Sequence, residues 1–218
     1  LPDVAPSYFF VDIQPDQLQP FLDRIEGDDQ VSRVDTAPML RGIITQINGT
    51  RAQDVAGDHW VIQGDRGVTY TATPPPAEEI VAGSWWPDDY TGPPQVAFAA
   101  EEALEIGIGV GDHITVNILG RDIEAEIAAL REVSFENAGI GFILTMNEAA
   151  LAGAPHTHIA TVYAEEEAEA QILRDVAGDA PNITAIRVRD ALDQVAEALR
   201  SLASATSYAA LATLITGF

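Results

Sequence analysis

An α+β fold is predicted by three observations: a strand–helix–strand pattern that occurs twice, a long β-type stretch between the two copies, and a helix after the second copy that runs into an uncharged tail. The first copy opens on Tyr8-Phe9-Phe10-Val11-Asp12-Ile13 and ends its helix on Leu22-Asp23-Arg24-Ile25-Glu26-Gly27. The second opens 150 positions further on with His158-Ile159-Ala160-Thr161-Val162-Tyr163 and ends its helix on Leu173-Arg174-Asp175-Val176-Ala177-Gly178. Each is followed by a short β-type run, at 31–34 and 183–188. Two such units interrupted by a large insertion read as a split βαβ domain.

The elements follow in order. In the first helix Pro15 occupies an N-terminal position, where its missing N–H costs little. Leu18, Phe21, Leu22 and Ile25 then form one buried face by i, i+3, i+4, i+7 spacing, and Gly27 stops the helix. Pro38 is expected to break the chain before a strand over 39–47, and Asn48-Gly49 is a turn signal. The 52–154 stretch reads as mostly β. It has short runs at Trp60-Val61-Ile62 and 68–72 around Gly64-Asp65-Arg66-Gly67, and a break at Pro74-Pro75-Pro76. A run through Ile80 to Trp86 follows, then a short helix at 99–106. A hairpin spans 113–119 and 123–130 about Gly120-Arg121-Asp122, and a further strand is expected at 140–146. The second unit's helix, over 164–177, turns Ala168, Ile172, Leu173 and Val176 inward, and Glu165, Glu166 and Glu167 suit its positive N-terminal end. The division expected is 1–51 and 155–189 for the two halves of the split domain, 52–154 for the inserted domain, and 190–218 for the last helix and tail.

Composition narrows the function. Hydrophobic residues at 47% with 21% charged describe a globular chain. A first residue of Leu1 rather than Met marks a piece of something longer, and neither a signal peptide nor a run of about 20 apolar residues is visible. The net charge is −23 and the 11 basic residues are all Arg. Such a surface repels nucleic-acid backbones and anionic headgroups. It reads as a solvated acidic surface or as adaptation to a salty source. The absence of cysteine excludes disulfides, thiolate catalysis and thiolate metal sites.

Little of the remaining chemistry is convincing. His156-Thr157-His158 places two imidazoles on one strand face, but the nearest acid in sequence is Glu148 and ordinary polar roles are commoner. Gly107-Ile108-Gly109-Val110-Gly111 follows a helix and precedes a strand, the reverse of a phosphate loop, and reads as a helix stop. No Gly-x-Ser-x-Gly elbow is present, and His59, His113, His156 and His158 suggest no nucleophile–base pairing. Glu101-Glu102 and the Glu165–Glu167 run read as solvated helix faces. Trp85, Trp86 and Tyr90 form the candidate interaction site. On a strand the two indoles would face opposite sides, one into the core and one outward as an anchor, unless the 87–94 loop folds over it.

Val188, Leu192, Val195, Leu199 and Leu202 are spaced as a heptad seam. They suit either a face packed on the domain's own sheet or a stalk helix against a partner. After Arg200 the last 18 residues carry no charge. Tyr208, Leu211, Leu214, Ile215 and Phe218 make this tail apolar, fitting either the first turns of a membrane helix or a C-terminal core helix.

Gly64-Asp65-Arg66-Gly67-Val68-Thr69-Tyr70, Gly83-Ser84-Trp85-Trp86-Pro87 with Tyr90 and Gly92-Pro93-Pro94, Gly109-Val110-Gly111-Asp112 and Pro155-His156-Thr157-His158 together resemble the FtsX-like/MacB-type ABC transporter permeases, nearest to their YbbP branch. The resemblance spans about residues 8–205, and its most specific part is Ser84-Trp85-Trp86-Pro87. It implies an extracytoplasmic, periplasmic-side domain of a bacterial inner-membrane protein, with a split βαβ porter-like part, a β-rich inserted part and a C-terminal stalk leading to a transmembrane helix. It further implies a cytoplasmic ATP-binding subunit, a second permease copy, a periplasmic partner protein such as an esterase, and movement of hydrophobic or lipid-like molecules. No catalytic residue, metal or cofactor is implied within this domain. A stand-alone periplasmic module for an apolar ligand or protein partner is the alternative reading, and a secreted hydrolase a more distant one.

Overall fold

The computed structural model describes residues 5–133 and 140–190. In chain order the elements are β1 (Tyr8–Ile13), α1 (Pro15–Glu26), β2 (Val31–Ile47), β3 (Thr50–Arg51), α2 (Ala52–Ala56), β4 (Arg66–Tyr70), β5 (Ile80–Gly83), β6 (Gln95–Ala99), α3 (Ala100–Ile106), β7 (His113–Ile118), β8 (Arg121–Arg131), β9 (Leu144–Met146), α4 (Glu148–Leu151), β10 (Thr157–Ala164), α5 (Glu166–Asp179) and β11 (Thr184–Arg187), with 3₁₀ turns at Trp60–Ile62 and Ala77–Glu79. The result is a mixed, sheet-rich α+β architecture.

Strands β11, β1, β10 and the first half of β2 lie side by side in that order, each antiparallel to its neighbour. Alternation turns Tyr8 and Phe10 of β1 to one face, and an irregularity at Asp12, whose φ is 64°, brings Ile13 to the same face, where Ala160 and Val162 of β10 join them. α1 covers this face with Phe21 and Ile25, and α5 with Ala168, Ile172 and Val176. Phe10 and Phe21 meet edge to face at 5.2 Å between ring centroids, a geometry suited to aromatic quadrupoles. Leu173, expected inward, is 36% exposed, while Glu169 is only 8% exposed. The helix is rotated so that the 168/169/172/176 row faces inward and Glu169 meets Arg187 of β11 and Arg189 just after it.

The second half of β2 enters a different structure. β2 pairs with β4, β4 with β9, β9 with β6, β6 with β8, β8 with β7, and β7 again with β2. These six strands close into a barrel, which removes free edges. Its core includes Leu40, Ile44, Val68, Phe98, Ile114, Val116, Ile127, Leu144 and Met146. Inside it Gly42 is required: a Cβ there would come within 2.7 Å of Val116 Cγ1 and 3.0 Å of Val68 Cγ2. The Asn48-Gly49 turn has positive φ at both residues, 49° and 76°. The β7–β8 hairpin turns likewise on Leu119 and Gly120, at 53° and 83°, so Arg121 belongs to the strand and not to the loop.

Two local expectations are corrected. Pro38 does not end a strand, because β2 runs unbroken from Val31 to Ile47. The proline falls at the partner exchange: pairing with β10 ends at Met39 and pairing with β4 begins at Leu40. Its missing N–H is tolerated where one ladder gives way to another, and its carbonyl accepts a hydrogen bond from Thr69 Oγ1 at 2.7 Å. Trp60–Ile62 is a 3₁₀ turn rather than a strand, because His59 Nδ1 accepts from the Val61 N–H and starts the turn. Val61 is fully buried in the barrel core and Trp60 is left 45% exposed.

Candidate functional site

The tryptophan pair begins at a backbone bend that needs glycine. Gly83 ends β5 with φ of +75°, and a Cβ on it would meet the Ala128 carbonyl oxygen at 2.1 Å. The same oxygen accepts from the Ser84 N–H at 3.0 Å. The strand therefore stops before the indoles, and the alternation expected of them does not apply. Both lie on the same side, stacked at 4.2 Å between ring centroids. Trp86 is buried at 4% exposure against Ala97 and Ala129, two small residues that leave room for an indole on the outer wall of the barrel. Trp86 Nε1 donates to Thr71 O at 2.9 Å and Trp85 Nε1 to Ala72 O at 3.0 Å. Tyr90 packs against the pair, and its hydroxyl donates to Pro93 O at 2.8 Å. The 87–94 loop thus folds beside the indoles, Trp86 is the core member, and Trp85 is half-buried.

Trp85 forms part of a cleft of about 790 Å³ between the barrel and the outer face of the four-stranded sheet. Tyr70, Pro74, Pro75, Phe142 and Arg131 line it on the barrel side, and Arg33, Asp35 and Tyr163 on the sheet side. Arg33 is held by Asp35 through Nε–Oδ1 at 3.0 Å and Nη2–Oδ2 at 2.5 Å, and its guanidinium lies 4.8 Å over the Tyr163 ring. Arg131 has no carboxylate partner among the described residues. Its Nη2 donates to Phe142 O at 2.6 Å and to Thr145 Oγ1 at 3.3 Å, both uncharged. Its Nε is buried without an acceptor. Burial pulls its pKa below the ordinary guanidinium value, partly offset by attraction to Glu79.

Sequence reasoning found the tryptophans and missed Arg131, for an identifiable reason. Strict alternation from Ile123 through Ala125, Ile127 and Ala129 would put Arg131 inside the barrel. Val96 is opposite Ile127 but Ala97 is opposite Ala129, so Ala128 is an extra residue in β8. This bulge reverses the faces beyond it: Leu130 packs on the barrel core, Ala129 on Trp86, and Arg131 opens on the cleft.

At the joint between barrel and sheet the two histidines do meet, 5.1 Å between ring centroids. The third neighbour is Tyr70, whose hydroxyl is 3.3 Å from His156 Nε2, and no group of three metal-ligating residues occurs among the described residues. Burial, and then the neighbouring His156, hold the His158 pKa below the usual value. As pH falls through about 6.5 the unfolded chain therefore binds the proton first, and the contribution of this residue to stability declines. Between pH 7.5 and 5, wild type is expected to lose Tm relative to His158→Gln; a constant offset between the two melting curves would contradict this.

The described chain begins and leaves at one place. Tyr8 of β1 is opposite Arg187 of β11, and the Val188 N–H donates to Ser7 O at 3.1 Å. Arg187 donates to Tyr8 Oη from Nη2 at 3.0 Å, and Tyr8 Oη donates to Glu169 O at 3.2 Å. Arg189 pairs with Glu166 at 2.7 Å and approaches Glu169 at 3.9 Å. The Glu166 pKa is lowered by the hydrogen bond from Arg189. Residues 188–190 are helical and Val188 is 6% exposed. The other expected stalk residues, Leu192, Val195, Leu199 and Leu202, and all five membrane-proximal residues from Tyr208 to Phe218 lie outside the described residues. No helix among the described residues is long and apolar enough to cross a membrane.

No family model matches the chain. The chain is similar to a membrane transport component, the uncharacterized ABC transporter permease YbbP of Escherichia coli K12, with 26% identity over 157 residues. That alignment takes in 72% of this chain and 19% of the permease, so the chain spans about a fifth of its relative's length. Among solved structures, the extracellular domain of the noncanonic ABC-type transporter YknZ from Gram-positive bacteria overlays with a TM-score of 0.32 at 11% identity, over 83% of this chain and 98% of that one. The likeness to FtsX-like/MacB-type permeases of the YbbP branch, read above from the Ser84-Trp85-Trp86-Pro87 region and its companions, is supported by the YbbP match.

Proposed function

We propose that this chain is the extracytoplasmic domain of an ABC transporter permease, on the periplasmic side of a bacterial inner membrane. It takes no part in covalent chemistry. It passes motion generated by ATP hydrolysis in a cytoplasmic subunit to the extraction or movement of hydrophobic, lipid-like molecules. In this reading 1–51 and 155–189 supply the porter-like halves and 52–154 the inserted domain, with the second half of β2 contributed to the inserted barrel, and 190–218 is the stalk leading into the bilayer.

The observation that carries the proposal is the adjacency of β1 and β11, joined by the Val188–Ser7 hydrogen bond. A domain looped out between two membrane segments needs its two connections side by side. Here they are tied further by Arg187, Tyr8, Glu169 and Arg189, so a displacement of one strand moves the other. Similarity to a permease over most of this chain supports the same assignment. The test uses the intact permease with its ATP-binding subunit. Val195→Asp combined with Leu199→Asp is expected to leave ATP hydrolysis running while abolishing extraction. Extraction at the wild-type level would reject the stalk as the transmitting element.

A stand-alone binding module is the second reading, favoured by the cleft itself, whose volume is in the range of small-molecule sites. Membrane-spanning segments on both sides of the domain in the whole polypeptide would decide for the permease.

A further inference from the structure

We propose that the cleft between barrel and sheet binds an amphiphile with a singly charged anionic head on an apolar chain, with Arg131 receiving the head and Trp85 and Tyr70 the chain. This deepens the reading above by naming where in the domain a lipid-like molecule is held and what end of it is recognised.

The chain has 34 acidic residues for 11 basic ones, and among the described arginines that form no ion pair Arg131 is the one with a buried guanidinium nitrogen lacking an acceptor. Arg33, on the opposite wall, is fully engaged by Asp35. Arg131 is not: its hydrogen bonds run to uncharged oxygens, its Nε has no acceptor, and the Glu79 carboxylate that lines the cleft forms no ion pair with it. Removing a cation from water without a counter-charge is unfavourable, and a fold that does so leaves the place open for an anion. The Ala128 bulge is what aims the residue there, and such irregularities are common beside binding sites.

The walls specify the rest of the ligand. Trp85 offers an indole face held in place by its stack on Trp86 and its bond to Ala72 O, and Pro74, Pro75 and Tyr70 add apolar faces among the Thr69, Thr71 and Thr73 hydroxyls. A small inorganic anion would leave that surface unused, and a neutral alcohol would leave Arg131 without a counter-charge. The net acidic charge of the chain disfavours anions at its surface generally, so the cleft also confers selectivity of place.

The test is isothermal titration of the 218-residue chain with decanoate, decanol, acetate and inorganic phosphate. Decanoate is expected to bind saturably and about ten- to a hundredfold more tightly than decanol, the factor one charge-assisted hydrogen bond supplies. Acetate and phosphate are expected to bind far more weakly. Arg131→Gln should remove the preference for decanoate over decanol, and Arg131→Lys should keep most of it. Equal binding of decanoate and decanol, acetate or phosphate binding as tightly as decanoate, no saturable decanoate binding, or wild-type affinity in Arg131→Gln would each overturn the proposal. If Arg131→Gln does not fold, the four-ligand comparison on the wild type decides alone. A failure here with extraction intact in the whole permease would remove the site and leave the permease assignment standing.

Discussion

Replacing Trp86 by alanine is expected to destabilise the protein by about 3–5 kcal/mol, the usual cost of emptying a buried indole site. For a chain of this length that corresponds to a fall in Tm of roughly 10 °C. The indole packs over Ala97 and Ala129 on the outer barrel wall, and its N–H satisfies Thr71 O. Neither alanine can grow to fill the void without a backbone change. The effect reaches the cleft, because Trp85 loses the ring it stacks on. Trp86→Phe, which keeps part of the volume but not the N–H, should cost less. Urea melts of the three proteins measure this, and a loss below about 1 kcal/mol for Trp86→Ala would show that the pair is not packed as described.

Gly83→Ala is expected to cost about 2–4 kcal/mol, combining a left-handed backbone with overpacking. The comparison that isolates the second term is Gly49→Ala. Gly49 has almost the same φ, +76°, but nothing within 4 Å of a Cβ, so only the conformational cost of about 1 kcal/mol applies there. At Gly83 the added methyl would strike the Ala128 carbonyl. It would displace the residue whose bulge directs Arg131 and loosen the turn that places both indoles. Gly83→Ala should therefore lose ligand affinity as well as stability. Equal costs at the two glycines would argue that the Gly83–Ala128 approach is not tight.

The parts of this fold legible from sequence are those whose signals are local. Pro15 with the Leu18, Phe21, Leu22 and Ile25 row marks α1 because helix periodicity and the burial of one face coincide. Asn48-Gly49 marks a turn because both residues tolerate positive φ. The misreadings share a different cause, partners distant in sequence. Pro38 looks like a breaker until β2 is seen changing neighbours at that point. Leu173 looks inward until Glu169 is drawn in by Arg187 of β11 and Arg189 just beyond it. The tryptophans look like strand residues until Gly83 ends the strand. Arg131 is the clearest case: its inward parity was visible, but the bulge that turns it into the cleft is a property of the β6–β8 register and of no short segment.

The 17-residue β2 has a practical corollary for dissecting the molecule. Its first half is an outer member of one sheet and its second half closes the barrel, so no cut yields two intact fragments. Severing the chain near Leu40 would leave every barrel strand in the C-terminal piece but would split the four-stranded sheet, with β1 and the first half of β2 on one side of the cut and β10 and β11 on the other, and the raw sheet edges in each piece would be prone to aggregate. The two cores should accordingly melt in a single calorimetric transition, and a separately purified barrel would have to begin near Leu40, since a piece beginning at residue 52 lacks the β2 segment that pairs with both β4 and β7.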